Sequence, residues 1–177
     1  MKKSLVLAVM VFIGSLTSMN AQRFSDLQKS PTDISYAKAD RNAKPEVKVI
    51  YSRPQKKGRK IFGNLVPFDK VWRTGADEAT EIKFFKDVTF GGKTVKAGTY
   101  SLFTIPGEKE WTIILNSDLD SWGAYSYNEE KDIARITTSP TTGDSLEAFS
   151  IAFKKADKGY DMVLAWDTTR VSIPVSL

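Results

Sequence analysis

The residues from Tyr100 to Leu115 read YSLFTIPGEKEWTIIL, and this stretch decides the fold class. Its two apolar runs, 100–105 and 111–115, carry large side chains on both faces of an extended chain, whereas proline, glycine and charged residues lie between them. Strands that are apolar on both faces must be covered above and below. The stretch therefore predicts two central strands that are joined by a turn at 106–109.

Strands that are buried on one face only are predicted on both sides of this stretch. Apolar and polar residues alternate with a period of two in the segments 47–52, 81–84, 148–153 and 170–177. Gly91-Gly92 has the spacing of a two-residue hairpin turn, and 167–169 predicts a further reversal. Pro174 predicts an edge position for the last strand.

Together these patterns predict one all-β domain. No stretch of ten or more residues shows a helical stripe, and about eight or nine short strands with close turns favour a single antiparallel β-sandwich or jelly-roll-like barrel. We expect this domain to span 46–177. A polar N-terminal arm over 22–45 precedes it, in which Asp33–Ala37 is a candidate first strand.

The N-terminus predicts export. Two lysines precede an apolar core from Leu5 to Leu16, and small and polar residues lead to Ala21. This order is typical of a secretory signal peptide over 1–21 that is cleaved after Ala21. The apolar run is shorter than the roughly 20 residues that a membrane-spanning helix needs. The mature chain is therefore expected to be periplasmic or secreted, with no integral membrane segment.

The composition excludes several chemistries. The chain has no histidine and no cysteine, so a Ser-His-Asp or Cys-His nucleophile is excluded, as is an ordinary zinc or copper site. No cofactor is indicated. The formal net charge of +5 is too small to predict a nucleic-acid partner. The sequence does not predict an oligomeric state, and the composition favours a binding protein over an enzyme.

The segment from Tyr51 to Thr80 is the candidate functional site, because it is dense in arginine, glycine, proline and aromatic residues. In one interpretation its guanidinium groups bind a small anionic or carbohydrate ligand between aromatic walls. In the other, the same arginines form salt bridges with Asp69, Asp77 and Glu78 that fix a long loop. The candidate ligand-binding residues are Tyr51, Arg53, Arg59, Trp72, Arg73, Asp77 and Glu78.

Two other classes of function stay open. A hydrolase or lyase could use Asp77 or Glu78 as its carboxylate, together with a distant partner such as Asp118 or Glu147. Adjacent residues on an extended chain point to opposite faces, so Asp77 and Glu78 face one substrate only if the loop bends sharply. The remaining alternative is a protein–protein interaction module that binds through a sheet edge.

Two further features of the sequence have weaker functional interpretations. Asn116–Asp120 offers oxygen ligands at alternate positions but lacks the glycine and the glutamate of a helix-loop-helix calcium site, so we expect a polar turn. Trp122, Tyr125 and Tyr127 could form a stacking platform for a sugar, although such residues in a small sandwich are more often core.

The order of short motifs resembles a known family. Three segments come first, YSRP at 51–54, KGRKIFG at 57–63 and VWRTGA at 71–76, and EAT at 78–80 follows them. The later motifs are AGTYSL at 97–102, IPG at 105–107, WTI at 111–113 and WG at 122–123. In this order they resemble the domain-of-unknown-function family 2911 of small exported bacterial proteins, over about Ser30 to Leu177. The resemblance implies export and a single β domain, and it supplies no catalytic residues.

Overall fold

The computed structural model describes residues 24–177, and the predicted signal peptide lies outside the described residues. Within this range the chain forms ten strands and one short 3₁₀ helix, Glu129–Lys131. The strands are β1 (Thr32–Ala37), β2 (Val47–Ser52), β3 (Thr80–Phe84), β4 (Val88–Phe90), β5 (Lys93–Val95), β6 (Gly98–Ile105), β7 (Trp111–Asn116), β8 (Asp132–Thr138), β9 (Thr141–Ala156) and β10 (Gly159–Ser176). No helix in the described part of the chain is long and apolar enough to cross a membrane.

The strands form two antiparallel sheets. The six-stranded sheet has the order β1-β2-β3-β6-β7-β8, and the four-stranded sheet has the order β5-β4-β10-β9. The sheets are not closed into a barrel, so the sandwich is the observed form of the predicted all-β fold. The candidate first strand is β1, which pairs with β2 at the edge of the larger sheet.

The core lies between the two sheets. It is filled by alternate residues of each strand, as the period of two requires. Trp111 and Trp166, which are 2% and 1% exposed, are among its largest side chains. On the outer face of the larger sheet, Phe103 and Ile114 pack with Ala79 in a second buried cluster. The prediction that β6 and β7 are covered on both faces is therefore confirmed.

The predicted hairpin at Gly91-Gly92 is confirmed. The turn joins β4 to β5, and its two glycines have φ angles of 54° and 85°. Two-residue hairpin turns with positive φ at both central positions match the right-handed twist of the strands and favour glycine. A Cβ at Gly91 would also clash with Cδ1 of Ile136, so the turn packs directly on β8.

β10 is bent so strongly that its two ends meet, but the turn predicted at 167–169 is wrong, because the strand runs without a break from Gly159 to Ser176 and pairs with β9 on both sides of Asp167, with bulges there. The amide of Leu177, just after its end, donates to the carbonyl of Lys158, just before its start, at 3.1 Å. A straight strand of this length would separate these two groups by tens of ångströms. The left-handed φ of 49° at Asp167 marks the bend.

The prediction that Pro174 places the last strand at an edge is wrong. β10 lies between β4 and β9 in the smaller sheet. The Pro174 carbonyl accepts a hydrogen bond from Gly91 at 2.8 Å, and pairing with β4 runs through Val175 and Ser176. The ladder to β4 thus forms without an amide proton at position 174.

Candidate functional site

The first half of the candidate segment, residues 51–57, is bound to β9, and we call it the β9-bound half. After β2 ends at Ser52, the chain crosses to the smaller sheet, where Gln55 forms a bridge with Ala148. The amide of Lys56 donates to the carbonyl of Glu147 at 2.7 Å. This part of the segment is therefore an edge connection between the two sheets.

Arg53 uses its guanidinium within this connection. Nε donates to the carbonyl of Phe149 at 3.0 Å, Nη1 to Asp33 Oδ2 at 3.0 Å, and Nη2 to Ser150 Oγ at 2.7 Å. The Tyr51 hydroxyl donates to the carbonyl of Ile151 at 3.3 Å and accepts from its amide at 3.0 Å. Burial raises the pKa of Tyr51, so this hydroxyl stays neutral. The structure places both residues in contacts that hold β9.

The second half, residues 59–77, is built on Trp72, and we call it the cleft half. Trp72 exchanges two backbone hydrogen bonds with Thr104, at 2.7 and 2.9 Å, which extends the pairing of β6 beyond β3. Its indole stacks on Trp166 with ring centroids 6.1 Å apart, and its Nε1 donates to the Gly75 carbonyl at 3.0 Å. These contacts fix the chain around Trp72 to the core on one side.

On the other side the cleft half opens into a concave site, which we call the Arg73 cleft. It has a volume of about 450 Å³, within the range of roughly 300–1,000 Å³ that small-molecule sites occupy. Trp72 and Trp166 line it, together with Leu65, Val66 and Pro67. Its charged lining residues are Arg59, Lys70, Arg73 and Asp77.

Within the described residues, these four charged side chains form no ion pairs with one another. Among residues 24–177, no salt bridge within 4.0 Å involves any of the four. Arg59 donates to two neutral carbonyls, those of Lys56 at 3.0 Å and Gln55 at 2.6 Å, which orient its guanidinium without neutralising it. The Nε of Arg73 is buried and has no hydrogen-bond partner. The arginine–carboxylate pairs expected with Asp69, Asp77 and Glu78 are therefore not formed in the described residues.

A strained threonine holds Arg73 in place. Thr74 is fully buried and has a φ of 55°, the left-handed region that a β-branched side chain rarely adopts. Its hydroxyl lies 3.1 Å from that of Thr104, and its carbonyl accepts from Thr80 Oγ1 at 2.7 Å. Such a backbone conformation costs about 1–3 kcal/mol and persists where the surroundings fix it. The loop that carries Arg73 is consequently rigid on its buried side.

Asp77 and Glu78 lie in different cavities. Asp77 lines the Arg73 cleft, whereas Glu78 lines a neighbouring cavity of about 280 Å³ with Tyr51, Glu81 and Asp120. The structure does not bring the two adjacent carboxylates to one substrate position, in agreement with the opposite directions expected on an extended chain. The candidate partners are also engaged, since Asp118 pairs with Lys131 and Glu147 Oε1 accepts from the Lys57 amide at 2.7 Å.

The calcium interpretation of 116–120 is not favoured. The Asn116 side chain donates to Asp132 Oδ1 at 2.7 Å and accepts from the Asp118 amide at 2.8 Å, as in a polar turn. The part of the chain that the structure describes has no group of three or more acidic residues arranged to hold a metal ion.

The three aromatic residues of the following loop differ in how far they are exposed. Trp122 and Tyr125 are 62% and 88% exposed, while the Tyr127 hydroxyl donates to Asp132 Oδ2 at 2.7 Å. Burial and that carboxylate raise the pKa of Tyr127. Tyr127 is thus part of the structure, and only Trp122 and Tyr125 are free to contact a ligand.

Sequence reasoning missed several lining residues. Lys70 lies within the candidate segment, but its spacing does not distinguish it from the other lysines there. Trp166 comes from β10, about ninety residues away, and no local pattern connects it to the cleft. The role of Thr74 depends on a backbone angle that the residue type does not predict.

The fold and this cleft define a small β-sandwich protein with an open, cation-lined site at the end of its larger sheet. The chain belongs to the family described as protein of unknown function (DUF2911), whose profile matches residues 30–175. Neither the curated proteins nor the solved structures include a significant match to this chain.

Proposed function

We propose that the protein is an exported, non-catalytic binding protein for a small anionic ligand, which it holds in the Arg73 cleft. One observation carries the proposal: Arg59, Lys70 and Arg73 line a single concave site, and within residues 24–177 none of them forms a salt bridge. Cations that line one cleft repel one another at a small cost in stability, which solvent screens where Arg59 and Lys70 are exposed. A bound anion would remove that cost, and arginine forks suit carboxylate, phosphate or sulfate groups.

The cation excess favours an anion over a neutral sugar as the ligand. A neutral carbohydrate would leave three positive charges without a counter-charge, whereas an anion would meet each of them.

Catalysis is not part of the proposal. The chain has no histidine or cysteine, and the cleft contains one carboxylate, Asp77. A glycosidase-type mechanism needs two carboxylates on one substrate, and Asp77 has no second carboxylate beside it among the residues that line this cleft.

The binding proposal is tested by calorimetry and thermal unfolding with phosphate, sulfate, citrate and glutarate. A ligand that binds only the folded protein raises its stability by about 2.7 kcal/mol at 100 times its Kd. We expect at least one anion to bind the parent protein, and Arg73→Gln to lose that binding. Arg41→Gln is the matched control, because Arg41 is exposed and lies outside the cleft. Equal binding by both variants would remove Arg73 from the site.

The export proposal has a separate test. N-terminal sequencing of the protein recovered from cell fractions should find a first residue of Gln22 in the periplasmic or extracellular fraction. An uncleaved chain that begins at Met1 and stays in the cytoplasm would contradict export while leaving the binding proposal intact.

A further inference from the structure

We propose that the ligand of the Arg73 cleft is an acidic amino acid, or a compound with the same pattern of two carboxylates and one ammonium group. The inference rests on the proposed function, because it names the ligand class of the same site. Its basis is Asp77, a lone carboxylate without an ion pair beside three uncompensated cations.

Asp77 forms no salt bridge with a cation of the described chain. It lies four residues from Arg73 on the same loop and lines the same cleft, yet no salt bridge joins them. Its backbone is fixed, since its carbonyl accepts from the Gly123 amide at 3.1 Å and its φ is 59°. In the described residues no donor reaches its carboxylate, which is only partly buried and therefore open to water or to a cationic group of a ligand.

The charges of the cleft match those of an acidic amino acid. Three positive groups and one negative group line it. A ligand with two carboxylates and one ammonium supplies two anionic groups for the three cations and one cation for Asp77. A dicarboxylate without the ammonium leaves Asp77 unpaired in an anionic complex. A monocarboxylate with an ammonium leaves most of the cationic charge without a partner.

The walls of the cleft suit the short carbon chain of such a ligand. Leu65, Pro67 and Trp72 give it apolar contacts, and the volume of about 450 Å³ accepts a molecule of this size. An amino acid therefore has a partner in the cleft for its methylene groups as well as for its charges.

The test compares glutamate with two molecules that each lack one of its groups. Glutarate lacks the ammonium, and 4-aminobutyrate lacks one carboxylate. Calorimetry on the purified protein should show glutamate binding at least tenfold more tightly than either compound. The second arm uses Asp77→Asn, which keeps a residue type that tolerates a positive φ. This variant should no longer prefer glutamate over glutarate, because glutamate loses the contact of its ammonium group and glutarate has no such contact to lose.

The direction of the change in glutamate affinity in Asp77→Asn distinguishes a direct contact with the ammonium group from a general electrostatic effect. Removal of a negative charge from the cleft raises its affinity for every anion by simple attraction, so a selective loss for glutamate requires contact between Asp77 and the ammonium group. Asp69→Asn is the matched control: Asp69 also has a positive φ, of 58°, but lies outside the cleft. It should leave the preference for glutamate unchanged.

The possible failures are distinguishable. If glutarate binds and glutamate binds no more tightly, the ligand class is wrong and the anion-binding function stands. The same conclusion follows if Asp77→Asn retains the full preference for glutamate. If neither compound binds while phosphate or sulfate does, the ligand class is again wrong. If no anion binds at all, both this inference and the proposed function are overturned.

Discussion

The two halves of the segment from Tyr51 to Thr80 differ in whether their cations form salt bridges. In the β9-bound half, Arg53 and Lys56 are paired, with Asp33 at 3.0 Å and with Asp167 at 2.6 Å. In the cleft half, Arg59, Lys70 and Arg73 line a cavity without a carboxylate partner. A buried or partly buried charge is normally paired. The β9-bound half follows this rule, whereas in the cleft half Arg59 and Lys70 are exposed to solvent and Arg73 is the partly buried cation that departs from it.

The largest expected effect comes from the β9-bound half. Arg53→Met keeps most of the apolar stem but removes three hydrogen bonds, to Phe149, Asp33 and Ser150. Hydrogen bonds to charged groups contribute more than neutral ones, so we expect the free energy of unfolding to fall by about 2–3 kcal/mol in urea titrations. Arg41→Met, at an exposed position, should change it by less than about 0.5 kcal/mol. A loss as small as that of the control would show that these three bonds contribute little.

The next effect in size is expected where the two halves touch. A Cβ at Gly75 would lie 3.0 Å from the Ser52 carbonyl oxygen and 3.1 Å from Thr80 Oγ1. Gly75→Ala must therefore shift the loop that carries Arg73, and overpacking of this kind costs about 1–3 kcal/mol. We expect both lower stability and weaker anion binding, measured by urea unfolding and calorimetry on one preparation. Unchanged affinity in a destabilised variant would mean that the position of Arg73 does not depend on this contact.

Arg73→Met should affect stability in the opposite direction to Arg53→Met. Since the Nε of Arg73 is buried without a partner, its removal takes away an unsatisfied polar atom instead of a bond. We expect the free energy of unfolding to stay constant or rise by up to about 1 kcal/mol, while anion binding is lost. Destabilisation comparable to that of Arg53→Met would make Arg73 a structural residue and remove the contrast between the halves.

The fold could be predicted because its signals are local. Alternation with a period of two and runs that are apolar on both faces depend on neighbouring residues, and they identify β6 and β7 as central strands. The prediction from Pro174 failed because it treats the last strand as straight and separate. β10 instead bends near Asp167, and its final residues pair with β4 while its first ones pair with β9.

The sequence could not predict which cations of the candidate segment are paired, because their partners lie far away along the chain. The groups that engage Arg53 and Lys56 are Asp33, Phe149, Ser150 and Asp167, and no spacing in the segment indicates them. The nearest carboxylates along the chain, Asp69, Asp77 and Glu78, were the expected partners, and the structure pairs none of them with an arginine of the segment. Charge pairing is a property of the tertiary fold and not of local composition.

The smallest expected effect is a difference between the two halves in how the stability of a lysine variant depends on pH. The Lys56 ammonium, which donates to Asp167 Oδ1 at 2.6 Å, holds the pKa of that carboxyl below its ordinary value of 3.8. A lowered carboxyl pKa contributes stability that is complete above the unfolded value and is lost as the pH falls through the folded one. Lys56→Met should therefore be less stable than the parent at pH 7, by about 0.5–1 kcal/mol for a partly exposed pair.

This deficit should shrink as the pH falls below 3.8, because the parent then loses the same interaction. Lys70→Met is the matched variant in the cleft half, where no carboxylate pairs with the lysine. Its difference from the parent should stay near zero from pH 7 to pH 3 in parallel urea titrations. A constant deficit for Lys56→Met across that range would assign its effect to packing of the lysine stem. A deficit of the same size and pH dependence for Lys70→Met would mean that the cleft lysine is also paired, and the two halves would no longer differ.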